Sequence, residues 1–282
     1  REASMRGMSP SVFTFPSHPL TVVNPAIAPR LLSTPVEKLS LLAGTGILIP
    51  DIGFILFDEE LRNLHAADFL GMLHDRYDVD FILRGFNNRF GTERNLSGDD
   101  YRRIAADCGI ELVEADSLPF GDGKNPLPVS SSRIRQDIEE GNIERANLMS
   151  GHPYRLTGIV VGGKRLGRTI GFPTANISVP HPAKLIPARG VYICVAEADG
   201  SRMKAMVNIG LRPTVDGPGS AQTIEAHIID FNGDIYGKEV TLEFHKRLRD
   251  EIRFSSPAEL ADRLEADRRI TRRFVIPPLN LF

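Results

Sequence analysis

Five strand-length runs crowd the second half of this 282-residue chain: Leu156 to Val161, Val191 to Glu197, Lys204 to Ile209, Thr223 to Ile229 and Val240 to His245. Each is apolar or alternating, and glycine-rich turns separate them, a pattern that predicts an antiparallel β-barrel. In Thr223-Ile224-Glu225-Ala226-His227-Ile228-Ile229 the period of two sets Thr223, Glu225 and His227 on one face and Ile224, Ala226 and Ile228 on the other. The apolar face belongs to the core; periodicity leaves open whether the polar face lines a pocket or meets water. Asn208-Ile209-Gly210-Leu211-Arg212-Pro213-Thr214 and Phe231-Asn232-Gly233-Asp234-Ile235-Tyr236-Gly237 read as turns by their Gly, Asn and Pro content. A single long helix follows. Ser256-Pro257-Ala258-Glu259 joins a serine cap, a proline at the first helical position and a glutamate three residues after the cap. Leu260 and Leu264 share a face, and Pro277-Pro278 ends the pattern.

The first half has a different rhythm. Ser11 to Phe15 reads as a short strand, and Pro16 to Pro29 as a proline-rich connection. Thr34-Pro35-Val36-Glu37 opens a helix through Leu42 by the same cap, proline and glutamate signature. Phe54 to Phe57 is a second apolar run, followed by a helical stripe at Phe69, Leu70 and Leu73. Phe81 to Leu83 is a third strand, Asp99 to Asp107 a helix with Asp99 as its N-cap, and Ile110 to Val113 a fourth strand. Strands alternating with helices predict a parallel, doubly wound sheet. The helix Ile143 to Met149, stopped by Ser150-Gly151, bridges into the barrel, so the domains divide as residues 1–151 and 152–282: α/β first, then β.

Bulk properties narrow the function classes. Apolar residues at 41% and charged residues at 25% are ordinary for a globular protein. A net charge of −2 argues against a general nucleic-acid-binding surface. Cys108 and Cys194 lie far apart without metal-type spacing, so neither a disulfide framework nor a zinc site is implied, and a reducing cytoplasm fits. No apolar run reaches membrane-spanning length, which predicts a soluble cytoplasmic protein without a membrane partner. The chain starts Arg1-Glu2-Ala3-Ser4-Met5, without an initiator methionine, and so reads as a fragment.

The densest chemical signal is Gly162-Gly163-Lys164-Arg165-Leu166-Gly167-Arg168-Thr169-Ile170-Gly171-Phe172-Pro173-Thr174-Ala175-Asn176. Glycines let backbone N–H groups approach an anion, and Lys164, Arg165 and Arg168 supply charge for it. The spacing matches neither the P-loop nor the dinucleotide fingerprint, and a glycine-rich hairpin with a solvated basic face is the alternative. In a doubly wound sheet, ligands bind after the strands. His18 follows the first strand and Arg84-Gly85-Phe86-Asn87-Asn88-Arg89-Phe90-Gly91 the third. Val129-Ser130-Ser131-Ser132-Arg133-Ile134-Arg135 enters a helix that runs to Glu140, where Gly141 stops it. Hydroxyls and arginines at a helix N-terminus make an anion site, or simply a capped helix with solvated arginines.

At Gly171 to Asn176 the sequence resembles the riboflavin kinase family. Gly167 to Ile170, Gly190-Val191-Tyr192, Asn208-Ile209-Gly210, Glu225-Ala226-His227, Asp230-Phe231, Asp234 to Gly237 and Arg247 to Phe254 extend the match in the family's order. The first half is similar to the FMN adenylyltransferase domain fused to this kinase in bacteria, through Phe15 to Pro19, Arg89-Phe90-Gly91 with Gly98-Asp99, and Ser130 to Arg135. Ser132 stands where the family has threonine, and the family's first strand and His-x-Gly-His loop precede the residues present. The resemblance therefore implies an incomplete nucleotidyltransferase-like domain, FMN formation, and little FAD formation by this chain.

The resemblance also implies roles and ligands. The substrates are ATP with Mg²⁺ and riboflavin, with FMN as product. Gly163, Lys164, Gly167, Arg168, Gly171 and Pro173 would surround the ATP phosphates, and Thr174 and Asn176 would hold Mg²⁺. Glu225 would be the general base toward the terminal ribityl hydroxyl, and Arg249 and Phe254 would contact the flavin. In the adenylyltransferase half the corresponding set is His18, Asn88, Arg89, Ser130, Ser131, Ser132, Arg133 and Arg135. A non-catalytic flavin or nucleotide sensor is the alternative, and it has no need of a base at Glu225 beside a metal-binding threonine.

Overall fold

A computed structural model of the chain describes residues 2–121, 126–163, 167, 171–213 and 220–278. They fall into two compact units, one of Arg1–Pro29 with Leu42–Val129, the other of Arg30–Leu41 with Ser130–Phe282. Up to residue 128 the helices are α1 (Glu2–Arg6), α2 (Leu20–Val23), α3 (Pro35–Ala43), α4 (Glu59–Arg62), α5 (Ala66–Tyr77) and α6 (Gly98–Asp107). The strands are β1 (Val12–Thr14), β2 (Ile52–Phe54), β3 (Phe81–Gly85), β4 (Glu111–Ala115), β5 (Pro119–Phe120) and β6 (Leu127–Pro128).

In the first unit the pairing is parallel: β1 runs beside β2 from Val12↔Ile52 to Thr14↔Phe54, and β3 beside β4 from Phe81↔Glu111 to Gly85↔Ala115. The expected α/β alternation is present. Among the described residues its four main strands form two separate pairs, with no ladder joining them. Ala66 and Leu70 of α5, Tyr101 and Ala105 of α6, and Ile110 and Leu112 at β4 form the buried core. Phe90 packs against it, its ring 4.7 Å from that of Tyr101, whose hydroxyl donates to the Phe90 carbonyl at 2.9 Å. Phe90 is therefore a packing residue. The cap of α6 is Ser97 and not Asp99. Ser97 Oγ accepts from Asp100 N at 3.1 Å and Asp100 Oδ2 accepts from Ser97 N at 2.9 Å, a reciprocal pair that Asp99, inside the first turn, cannot make.

The second unit holds α7 (Ser131–Glu140), α8 (Ile143–Ser150), six strands and the C-terminal helix Pro257–Arg273. The strands are β7 (Tyr154–Val161), β8 (Ala175–Ser178), β9 (Gly190–Ala198), β10 (Ser201–Pro213), β11 (Ser220–Ile228) and β12 (Glu239–Arg249). They close into an antiparallel barrel in the order β10-β11-β8-β7-β12-β9. Two expectations are corrected. Residues 208–213 are not a turn: β10 stays paired with β11 as far as Pro213↔Ser220, and that cross-strand pairing overrides local Gly and Pro content. The stretch ending at Asn176 is not loop throughout, because Ala175–Ser178 supplies the sixth strand, between β11 and β7. Leu156, Val207, Ile209, Leu242 and Phe244 fill the interior, where the Tyr192 and Phe244 rings meet edge to face at 5.3 Å.

The segment Arg30–Leu41 belongs to the barrel unit through α3. Thr34 N donates to Glu37 Oε2 at 2.8 Å, as the cap signature predicts. The same carboxylate takes Lys184 Nζ at 2.7 Å and, through Oε1, Thr157 N at 2.9 Å. Lys184 also donates to the carbonyls of Leu32 at 2.7 Å and Arg155 at 2.6 Å. Both partners are buried. Burial draws the Lys184 ammonium down to about 8, against the opposing pull of Glu37.

Candidate functional site

The barrel register assembles the site. Asn176 on β8 lies opposite Glu225 on β11, and Glu225 lies opposite Asn208 on β10. Residues directly opposite one another share a face, so an amide, a carboxylate and an amide line up across three neighbouring strands. The neighbours of Glu225, Ile224 and Ala226, are buried in the barrel, so this row is on the outer face. Glu225, Asn176 and Asn208 are each half-buried there, and Thr174 and Pro173, just ahead of β8, are exposed. The polar face left open by periodicity is therefore partly covered, by the segment from Gly171 to Asn176.

Glycine is required where that segment is crossed. A Cβ at Gly163 would stand 2.0 Å from Asn176 Nδ2, so only glycine lets the amide pack there. A Cβ at Gly167 would stand 2.1 Å from the Phe172 carbonyl oxygen and 3.6 Å from Thr174 Oγ1. Phe172 N donates to Gly167 O at 2.8 Å, and Gly171 adopts φ +80°, which opens the turn into Phe172. Asn176, with Gly163 against it, thus stands opposite Glu225, Gly167 lies against Phe172 and near Thr174, Gly171 turns into Phe172 and the Pro173 carbonyl is held by His227, whereas Lys164 and Arg168 lie outside the described residues.

Two nearby residues escaped the sequence reading. Asn208 was hidden by the turn-like composition of its segment. Glu251 follows β12, and a Cβ at Gly210 would meet its Oε1 at 2.4 Å and Asn208 Nδ2 at 3.2 Å. The family-like order of Asn208-Ile209-Gly210 and of Arg247 to Phe254 was the signal that could have singled them out.

Arg249, expected at the flavin, is an anchor in this structure. Its Nε and Nη2 each sit 2.8 Å from Asp267 Oδ2 in the C-terminal helix, and Nη1 donates to Asp250 O at 3.0 Å. Asp267 is fully buried and also faces Arg263 Nε at 3.2 Å. Phe254, between β12 and that helix, is half-buried.

His227, two residues beyond Glu225, is buried with its ring 5.3 Å from Phe172 and Nδ1 2.8 Å from the Pro173 carbonyl. Burial holds its pKa below the ordinary imidazole value, and the nearby Arg268 and Arg272 add to that, against the Pro173 bond and Asp230. The imidazole is therefore neutral near pH 7 and Nδ1–H donates to the carbonyl.

A metal has suitable donors here. Among the described residues no group of three His, Cys, Asp or Glu side chains forms a metal site by itself. Thr174 and Asn176 offer a hydroxyl and an amide oxygen, hard donors of the kind that suit Mg²⁺ when nucleotide phosphates complete its shell. The glycine crossing leaves these side chains room that any Cβ would fill.

The residues expected for adenylyl transfer divide between the units. In the first, His18 Nδ1 accepts from Leu20 N at 3.1 Å. Asn88 N donates to Gly85 O at 3.0 Å at the end of β3, and Arg89 is exposed. Beside them Arg84, which opens the basic segment after the third strand, is buried against Glu114 with its guanidinium 4.6 Å over the Tyr101 ring. In the second unit Ser130 caps α7, its Oγ accepting from Arg133 N at 3.4 Å. Ser131 and Ser132 are exposed, and Arg135 Nε donates to Arg30 O at 2.7 Å.

Comparison with known proteins divides the chain a little later, between residues 133 and 150. The riboflavin kinase family model matches residues 150–275 and the FAD synthetase model residues 1–133. A bifunctional riboflavin kinase/FMN adenylyltransferase from Bacillus subtilis is 32% identical over 279 residues, covering 96% of this chain and 84% of its own. The protein of that name from Pseudomonas fluorescens is 31% identical, with the same coverage of 96% and 84%. A crystal structure from Streptococcus pneumoniae, titled a macrolide-efflux protein, superposes with a TM-score of 0.82 at 30% identity, over 97% of this chain and 86% of that one. The two family models in this order, with relatives similar along nearly the whole chain, place it in the bifunctional riboflavin kinase/FMN adenylyltransferase family.

Proposed function

We infer that the outer face of the barrel at Glu225 is where riboflavin is phosphorylated by ATP to give FMN and ADP. The observation that carries this reading is the row Asn176, Glu225, Asn208, with Thr174 two residues ahead of Asn176. In phosphoryl transfer the protein chiefly positions groups and balances charge. Glu225 accepts the proton of the terminal ribityl hydroxyl as its oxygen bonds to the γ-phosphorus and the bond to the β-phosphate oxygen breaks. Thr174 and Asn176 hold Mg²⁺, which when bound neutralises charge on the phosphates. Gly163, Gly167, Gly171 and Pro173 surround those phosphates, Gly163 and Gly167 by letting Asn176 and Phe172 pack close, and Lys164 and Arg168 add charge. Phe254 stacks on the flavin ring. Arg249 serves the flavin side indirectly, by holding the end of β12 against the C-terminal helix.

The α/β half is the FMN adenylyltransferase part of the family, which converts FMN to FAD, with His18, Asn88 and Arg89 as the nucleotide-side set. Ser130, Ser131, Ser132, Arg133 and Arg135 supply hydroxyls and charge at the start of α7. We place the functional boundary between the two activities near residue 151, although the compact units divide at Val129/Ser130 and assign Arg30–Leu41 to the barrel.

Steady-state FMN formation tests the kinase site. Glu225→Gln should cost about a hundredfold or more in kcat, the usual worth of a positioned base. Thr174→Ala should raise the KM for ATP-Mg²⁺ and lower kcat. Wild-type rates in both variants overturn the assignment.

A further inference from the structure

The ladder between β8 and β11 stops one step before the residue that matters most for a metal. Asn176 pairs with Glu225 and Ala175 with Ala226. The next position on β11 is His227, opposite the chain at Pro173 and Thr174. Proline has no N–H to offer a ladder, yet the chain stays in place, because His227 Nδ1 donates to the Pro173 carbonyl at 2.8 Å. That carbonyl and the Thr174 nitrogen belong to one planar peptide group. The imidazole therefore sets the plane from which Thr174 projects.

The imidazole is itself held in place. The Phe172 ring lies 5.3 Å from it at an interplanar angle of 59°. On Phe172 rests the guanidinium of Arg268, 5.1 Å from the ring centroid and paired with Glu265 of the same C-terminal helix. His227 and Phe172 are 7% and 6% exposed, so water does not compete for the Nδ1 bond. A continuous stack thus runs from the C-terminal helix through Phe172 to the strand that carries Glu225.

We propose that His227 and Arg268 are positioning residues for phosphoryl transfer: His227 extends the β8–β11 pairing by a side-chain bond to Pro173, Arg268 clamps Phe172 over it, and together they fix Thr174 relative to Glu225. The proposal rests on the roles given above to Thr174 and Glu225. Displacement by about an ångström is enough to cost up to a hundredfold in a positioned reaction.

The test is a KM and kcat series for riboflavin phosphorylation, with melting temperatures measured on the same samples. His227→Leu should raise the KM for ATP-Mg²⁺ about tenfold and leave the KM for riboflavin within about twofold. His227→Asn carries an amide nitrogen at the Nδ1 position and should recover to within about threefold of wild type, whereas His227→Gln, with its amide near the Nε2 position, should not. Arg268→Met should move the same KM by about threefold. Should His227→Leu fail to fold, the Asn and Gln variants decide. Equal constants for Asn and Gln, or a lowered melting temperature with both KM values unchanged, overturn the proposal. Thr174→Ala is measured alongside. A costly Thr174→Ala with a flat His227 series removes this proposal alone, and a silent Thr174→Ala removes the site reading together with it.

Discussion

The barrel and the α/β unit solve the same problem of sheet edges in opposite ways. In the barrel every strand has two neighbours, so the register of each is fixed from both sides. The site proposed on it is a row across three such strands, Asn176, Glu225 and Asn208, and inherits that precision. In the α/β unit the main strands are two parallel pairs, and the core is a small group around Tyr101 and Leu70. Leu83 on β3 stays 54% exposed and Leu56, after β2, 65%. Short parallel pairs gain little stability alone, so this unit depends on α5 and α6 for its order. The lesson is that closure places chemistry on strands, whereas an open α/β sheet places it on the segments that follow strands.

The largest effect expected from this contrast concerns Lys184. Lys184→Met leaves the Glu37 carboxylate buried without its charge partner, and breaking such a pair costs about 3–5 kcal/mol. Chemical denaturation should show the loss in the barrel's transition, with the double variant Glu37→Leu, Lys184→Met recovering most of it. A loss shared equally by both units would break the comparison.

A second effect should follow pH. Burial holds His152, His227 and His245, all in the barrel unit, below the ordinary imidazole value of 6.5. The folded barrel therefore declines protons that the unfolded chain accepts. The stability tied to these groups is complete above about pH 6.5 and is lost as the pH falls through their lowered folded values. Melting curves between about pH 7.5 and pH 5 should show the barrel weakening. His245→Phe should flatten part of the slope, since His245 Nε2 is buried and has no hydrogen-bond partner among the described residues. An unchanged slope in that variant would remove His245 from the account.

The smallest effect sharpens the other side. Ser97→Ala removes the cap of α6 and should cost the α/β unit about 1 kcal/mol. Amide exchange at the start of α6 should rise, with the barrel unaffected.

What could be read in the chain followed from local chemistry. The helix at Ser256 and the helix at Thr34 were marked by side chains that cap their own first turns. Five of the six barrel strands were marked by period. The strand β8 was not, because four residues, Ala175–Ser178, are too short a window for alternation and sit inside a motif rich in turn formers. Residues 208–213 were misread for the converse reason: their composition is that of a turn, and only the partner strand β11 keeps them extended. Asp99 lost the cap to Ser97 because reciprocal bonding needs a partner three residues on, which Asp100 supplies to Ser97.

The sequence by itself determined the two architectures and the order of the motifs, since helix caps and alternation are properties of neighbours along the chain, and through the resemblance that this order carries it made Thr174, Asn176 and Glu225 candidates. Only the tertiary structure decided that Asn176, Glu225 and Asn208 form one row, that Arg249 is held by Asp267, that Glu37 and Lys184 meet across 147 residues, and that His227 bonds Pro173. Those are distances between residues remote in sequence. They are set by barrel register and closure, which depend on all six strands pairing at once.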